Sequence, residues 1–154
     1  MKNLSQLKIN LRRLIPPRSL SLADKWLFGK AIFLALFIRI CLKIMSFKAT
    51  MGFLRRFEGK RLGIDVNNED NELKRYHSLI IMSYFFYPII NCLSISISFW
   101  LLLRRKGITT DLKFGMLKEQ DKLRAHAWLE YKGFPLTEKS RTTERYKAFT
   151  KSVL

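Results

Sequence analysis

The pattern of apolar and polar positions divides the chain into a helical first part and a strand-bearing end. Residues 1–20 read as a basic arm or short helix broken by Pro16-Pro17. Ser21 or Asp24 is placed to cap a helix, and the run from Lys25 to about Phe47 is rich in strong helix formers. Its longest uncharged stretch, Ala31 to Ile38, is eight residues, bounded by Lys30 and Arg39 and followed by Lys43. A bilayer needs roughly 18–20 apolar residues, so this pattern predicts a buried or surface-lying amphipathic helix. Residues 48–62 continue as a basic helical piece around Phe53-Leu54-Arg55-Arg56-Phe57, and the polar run Gly63 to Asn71 predicts a loop.

Tyr76 to Leu103 carries no formally charged residue over 28 positions, and Arg104-Arg105-Lys106 follows. A hydropathy window reads this as a membrane span with a positive flank. Pro88 lies mid-run, however, and Asn91, Ser94, Ser96 and Ser98 are polar, which favours two shorter core helices broken at the proline. After Gly107 the character changes. Thr110 to Leu117 and Ala125 to Tyr131 are strand-like, Lys132-Gly133 is a turn, and Phe134 to Glu138 can return as a further strand. Residues 139–154 are polar and basic, a loose helix or tail. Helices followed by strands make the expected class α+β. The expected organisation is a basic helical region 1–75, a core 76–140 and a tail 141–154.

Composition narrows the field. The 154 residues, 48% hydrophobic, suit one domain with an extension and are too apolar for disorder. Two cysteines and two histidines exclude a disulfide scaffold and leave little for a Cys/His zinc site, and no cofactor is implied. The absence of a secretory signal pattern and the scarcity of cysteine fit a cytoplasmic setting. The net charge of +17 is unevenly spread: residues 1–62 hold 14 basic and 2 acidic residues, a net +12, and residues 63–154 hold 15 and 10, a net +5. Such a surface favours an acidic peptide, an anionic lipid or a nucleic acid, or is simply solvated. No groove-reading or RNA-binding motif is present, so no nucleic-acid partner is expected.

Three residues could carry chemistry. Cys92 follows Pro88-Ile89-Ile90-Asn91, where a helix should begin with Asn91 as its cap, and backbone N–H groups at a helix start stabilise a thiolate. A lone cysteine in an apolar run is more commonly a small core residue. His126 could serve as its base, although a strand histidine often has only a packing role. A third group must orient the imidazole. Glu130 shares the strand face of His126, but four strand residues span about 13 Å. Glu138 fits better if Lys132-Gly133-Phe134 is a three-residue loop, so that Tyr131 pairs with Pro135 and Trp128 with Glu138. A two-residue loop would put Glu138 on the opposite face.

Asn91-Cys92-Leu93-Ser94, the helix ending Leu101-Leu102-Leu103-Arg104-Arg105-Lys106-Gly107, then Leu112-Lys113-Phe114-Gly115-Met116, Ala125-His126-Ala127-Trp128-Leu129-Glu130 and Gly133-Phe134-Pro135-Leu136-Thr137-Glu138 together resemble the lasso peptide biosynthesis B2 protein family. The similarity covers about residues 84–138, and more loosely the helices from Ala23 to Arg56. It implies a transglutaminase-like (papain-like) cysteine protease core with an N-terminal helical extension. By resemblance Cys92 is the nucleophile, His126 the general base, and Glu138 stands at a third position that is usually Asp; Met116 stands where Val is frequent.

The implied reaction is removal of the leader from a ribosomally made lasso precursor. The implied partners are the precursor itself, a separate winged-helix leader-recognition protein, since residues 1–75 lack its strand pattern, and an asparagine-synthetase-like cyclase that takes the freed core. The basic helices around Lys25, Lys30, Arg39, Lys43, Arg55 and Arg56 would contact the recognition protein, the acidic part of the leader or, peripherally, a membrane face. Reversing these charges should weaken partner binding, and unchanged binding would refute the idea. The competing readings are a small basic membrane-associated protein without catalysis, and an acyl-enzyme that transfers to an amine instead of water.

Overall fold

The computed structural model describes residues 21–57, 69–86, 89–119, 122–136 and 147–148. Helix α1 spans Leu22–Ile44, α2 Phe47–Arg55, α3 Glu69–Ser83 followed by a 3-10 turn at Tyr84–Phe86, and α4 Cys92–Arg105. Strands β1 (Asp111–Glu119), β2 (Lys122–Tyr131), β3 (Phe134–Pro135) and β4 (Lys147–Ala148) form one sheet in the order β3-β2-β1-β4. The β1–β2, β2–β3 and β1–β4 pairs are all antiparallel. The architecture is therefore α+β, with the strands gathered after the helices.

Serine caps set the first two helices. Ser21 accepts a hydrogen bond from the Asp24 N–H at 3.2 Å, and Ser46 accepts one from the Ala49 N–H at 3.3 Å, which separates α2 from α1. α3 begins at Glu69, so Glu69, Asp70 and Asn71 are helical where the polar pattern predicts loop. The reason is electrostatic: Glu69, Asp70 and Glu72 crowd the first turn, where carboxylates meet the positive end of the helix dipole. Arg75 of α3 bonds the Asp24 carboxylate and so ties α3 to the start of α1.

α4 is the centre of the molecule. Residues Ser94 to Leu101, and Leu103, are buried, a helix enclosed nearly all round. α1 lays Ala31, Ala35 and Ile38 inward among the core residues; the small alanines at this i, i+4, i+7 spacing allow close approach. Tyr76 of α3 meets Phe99 edge-on, with ring centroids 6.3 Å apart. Two buried serines of α4 have partners, one local and one across the core: Ser98 donates to the Ile95 carbonyl at 2.8 Å and Ser96 to the Ala127 carbonyl at 3.0 Å, whereas the buried Ser94 hydroxyl has none among the described residues. α4 ends where Gly107 takes φ +87°, with Ile108 N–H on the Leu103 carbonyl and Gly107 N–H on the Arg104 carbonyl, both 3.0 Å. This left-handed stop turns the chain into β1.

The uncharged run from Tyr76 to Leu103 thus holds parts of two helices. Among the described residues no helix is long and apolar enough to cross a membrane. Two expectations for the end of the chain change. Lys147 and Ala148, read from sequence as part of a loose tail, pair with Met116 and Gly115 and add a strand to the sheet. The β2–β3 connection is a two-residue turn, with Tyr131 paired to Phe134 and Glu130 to Pro135, where the sequence reading expects three residues. Lys132 (φ +50°) and Gly133 (φ +81°) both adopt left-handed backbone, the type I′ geometry that follows strand twist.

Candidate active site

The chain from the 3-10 turn into α4 delivers the thiol. The Ile89 and Ile90 N–H groups both bond the Phe86 carbonyl, at 2.9 and 2.8 Å, and fully buried Ile90 anchors the segment. Asn91 has extended backbone and accepts the Ser94 N–H on its side-chain oxygen at 2.8 Å, making it the cap. Cys92 is therefore the first residue of α4, as its position after Asn91 predicts, and it is half-buried and reduced.

β2 supplies the imidazole. The Cys92 thiol hydrogen-bonds His126 and also receives hydrogen bonds from the Ala127 and Leu93 backbone N–H groups. Burial pushes the thiol up. The His126 hydrogen bond, the Ala127 N–H, the charge His126 can carry and the Leu93 N–H outweigh it, and the thiol lies below its ordinary range. Both main-chain polar groups of Ala127 thus have a partner on α4: its N–H points to the sulfur and its carbonyl accepts from Ser96.

His126 is held in a row along one strand face. Its ring stacks on Trp128 with centroids 6.1 Å apart and an interplanar angle of 15°. Trp128 Nε1 donates to Glu130 Oε1 at 2.8 Å, and Lys113 Nζ lies 3.9 Å from Glu130 Oε2. Glu130 is thereby engaged by the indole and the ammonium, in keeping with its distance along the strand. The β1 residue opposite His126 is Gly115, which brings no side chain to the imidazole.

The structure brings Cys92 and His126 together. Glu138 lies outside the described residues. The pairing of Trp128 with Glu138 required a three-residue loop, and the observed register with its two-residue turn does not provide it. The reason is that Lys132 accepts the left-handed conformation beside Gly133. The Ala127 N–H on the sulfur was not legible in the sequence, because a main-chain donor has no residue signature. Of the other residues considered, Cys41 is buried in α1 and His77 is buried in α3, where burial holds its imidazole below the ordinary value. Among the described residues no group of three or more His, Cys, Asp or Glu side chains could hold a metal.

A thiol at a helix start, hydrogen-bonded to an imidazole on an antiparallel sheet, can pass its proton to that imidazole and attack an acyl carbon. A family model described as the transglutaminase-like superfamily matches residues 47–151, from α2 through β4 and more than half of the chain, and the chain belongs to that superfamily. No curated protein and no solved structure matches it. The membership is compatible with cysteine-based peptidase or transferase chemistry.

Proposed function

We propose that this chain is a cysteine leader peptidase that cleaves the leader from a lasso peptide precursor. The observation that carries the reading is the hydrogen bond between the Cys92 thiol, at the first residue of α4, and His126 of β2. His126 takes the thiol proton, the thiolate attacks the carbonyl that ends the leader, and the imidazolium returns the proton to the departing core amine. Water then hydrolyses the thioester, with His126 accepting its proton, and the free leader carboxylate leaves. The Ala127 and Leu93 N–H groups lower the thiol by bonding the sulfur. The backbone N–H of Cys92 is the candidate donor to the oxyanion. Glu138 as the third residue rests on the motif resemblance alone.

The leader would arrive on a separate winged-helix recognition protein, and an asparagine-synthetase-like cyclase would take the core. The test is incubation with a cognate precursor and that recognition protein, read by mass spectrometry. The expected result is one cut at the leader–core junction that vanishes with Cys92→Ala and with His126→Ala. A folded wild type that leaves the precursor intact, or a cut that survives Cys92→Ala, overturns the reading. A product mass showing an added amine in place of water would make the enzyme a transferase.

A further inference from the structure

α1 has two apolar faces, and the core uses one of them. Leu22, Trp26, Phe33, Phe37, Ile40 and Ile44 recur along a single outward stripe at helical spacing, and all six are exposed, Leu22 by 83%, Phe33 by 74% and Ile44 by 78%. Gly29 lies on the same stripe and faces open space. At 100° per residue, exposed Lys30 borders one side of the stripe and exposed Lys25 and Lys43 the other. Lys30 lies over the Trp26 ring, 5.0 Å from its centroid. The stripe runs the length of a 23-residue helix, about 35 Å. Beside it opens a pocket of about 260 Å³ walled by Phe33, Phe37, Phe53 and Phe57, with Arg105 among its lining residues.

We infer that the outward stripe of α1, flanked by its lysines, is a lipid-binding surface that holds the chain on an anionic bilayer. Charge complementarity selects this occupant. The 21 residues that precede α1 add Lys2, Lys8, Arg12, Arg13 and Arg18 with no acidic residue, and they lead into the helix where the stripe begins. An apolar strip between cationic borders, with a tryptophan near one end, matches the boundary between headgroups and acyl chains. Phosphates of a nucleic acid have no use for six exposed apolar side chains. A second copy of this chain, itself carrying +17, would bring like charges together along both borders. No part of this inference depends on the peptidase reading, because the stripe involves neither Cys92 nor His126.

The test is co-sedimentation of the full chain with phosphatidylcholine vesicles, with and without phosphatidylglycerol. Binding is expected with phosphatidylglycerol only, and weaker at high salt. Phe33→Ser and Ile40→Ser should each lower partitioning about tenfold or more, and each of Lys25→Gln, Lys30→Gln and Lys43→Gln about fivefold. These positions are exposed, so the variants should keep the wild-type circular dichroism. Trp100 and Trp128 are 1% exposed, so a blue shift in emission on binding would report Trp26 and should vanish in Trp26→Phe. Cys92→Ala should bind as wild type, which separates this surface from the active site. A folded chain that stays in the supernatant overturns the inference. So does vesicle binding that survives Phe33→Ser with Ile40→Ser, or a dimer that depends on the stripe while vesicles are ignored.

Discussion

Ser96 donates its hydroxyl to the Ala127 carbonyl at 3.0 Å, one helical turn beyond Cys92 and one residue beyond His126. That hydrogen bond ties the helix bearing the thiol to the strand bearing the imidazole, alongside the bonds that the thiol itself makes to β2. Ser96→Ala leaves a buried carbonyl short of a partner, at a cost of about 1–3 kcal/mol. The variant should show a lower denaturation midpoint and a higher Cys92 thiol pKa, both measurable on the purified chain. A lower midpoint with the thiol unmoved would make Ser96 a packing residue only.

Alkylation of Cys92 by iodoacetamide should follow a pH profile with its midpoint below that of an ordinary thiol, because hydrogen bonding to His126 and to the backbone N–H groups outweighs burial. His126→Ala removes the largest of the lowering causes, so the midpoint should rise relative to wild type, lowering the neutral-pH rate about tenfold for each unit of rise. Cys92→Ala supplies the background from Cys41. By linkage, a thiol depressed in the folded chain stabilises it above the unfolded thiol pKa, and that stability is lost as pH falls through the folded value.

His77 gives the chain an acid limit. Burial holds its imidazole below the ordinary 6.5, so the folded state favours the neutral ring. The associated stability is complete above the unfolded value and falls away as pH drops through the folded one. Urea midpoints measured from pH 7.5 down to 5 should fall in the wild type and fall less in His77→Gln. Equal slopes would place the acid sensitivity elsewhere.

The β2–β3 turn is open to direct test. A Cβ at Gly133 would meet nothing within 4 Å, so Gly133→Ala isolates the cost of the φ +81° backbone, about 1–2 kcal/mol. Lys132→Asn, a residue better suited to φ +50°, should hold or raise the thermal midpoint.

Much of this arrangement was legible because strong local signals agreed. Asn91 marks the cap that makes Cys92 the first residue of α4, and the β-favouring runs mark β1 and β2; Pro88, where the sequence reading places the break, lies outside the described residues. Misreadings came where one residue type serves two purposes. Glu69 to Asn71 look like loop because carboxylates suit both a turn and a helix start. Ser46 caps α2 inside what reads as one continuing basic helix. Lys132 adopts a conformation that lysine seldom takes, which shortened the hairpin and removed the geometric argument for Glu138. Tertiary pairing, as of Lys147 and Ala148 with β1, leaves no mark in two residues.

The double-faced α1 also bears on how the chain is made. Its inner face packs against α4, which is complete only about 60 residues after Ile44. At roughly 5–20 residues per second, several seconds pass before that partner has been synthesised. During that interval both apolar faces of α1 are uncovered on the nascent chain. A surface that captures one face early would shorten the exposure, and yield should then depend on what the emerging helix meets first.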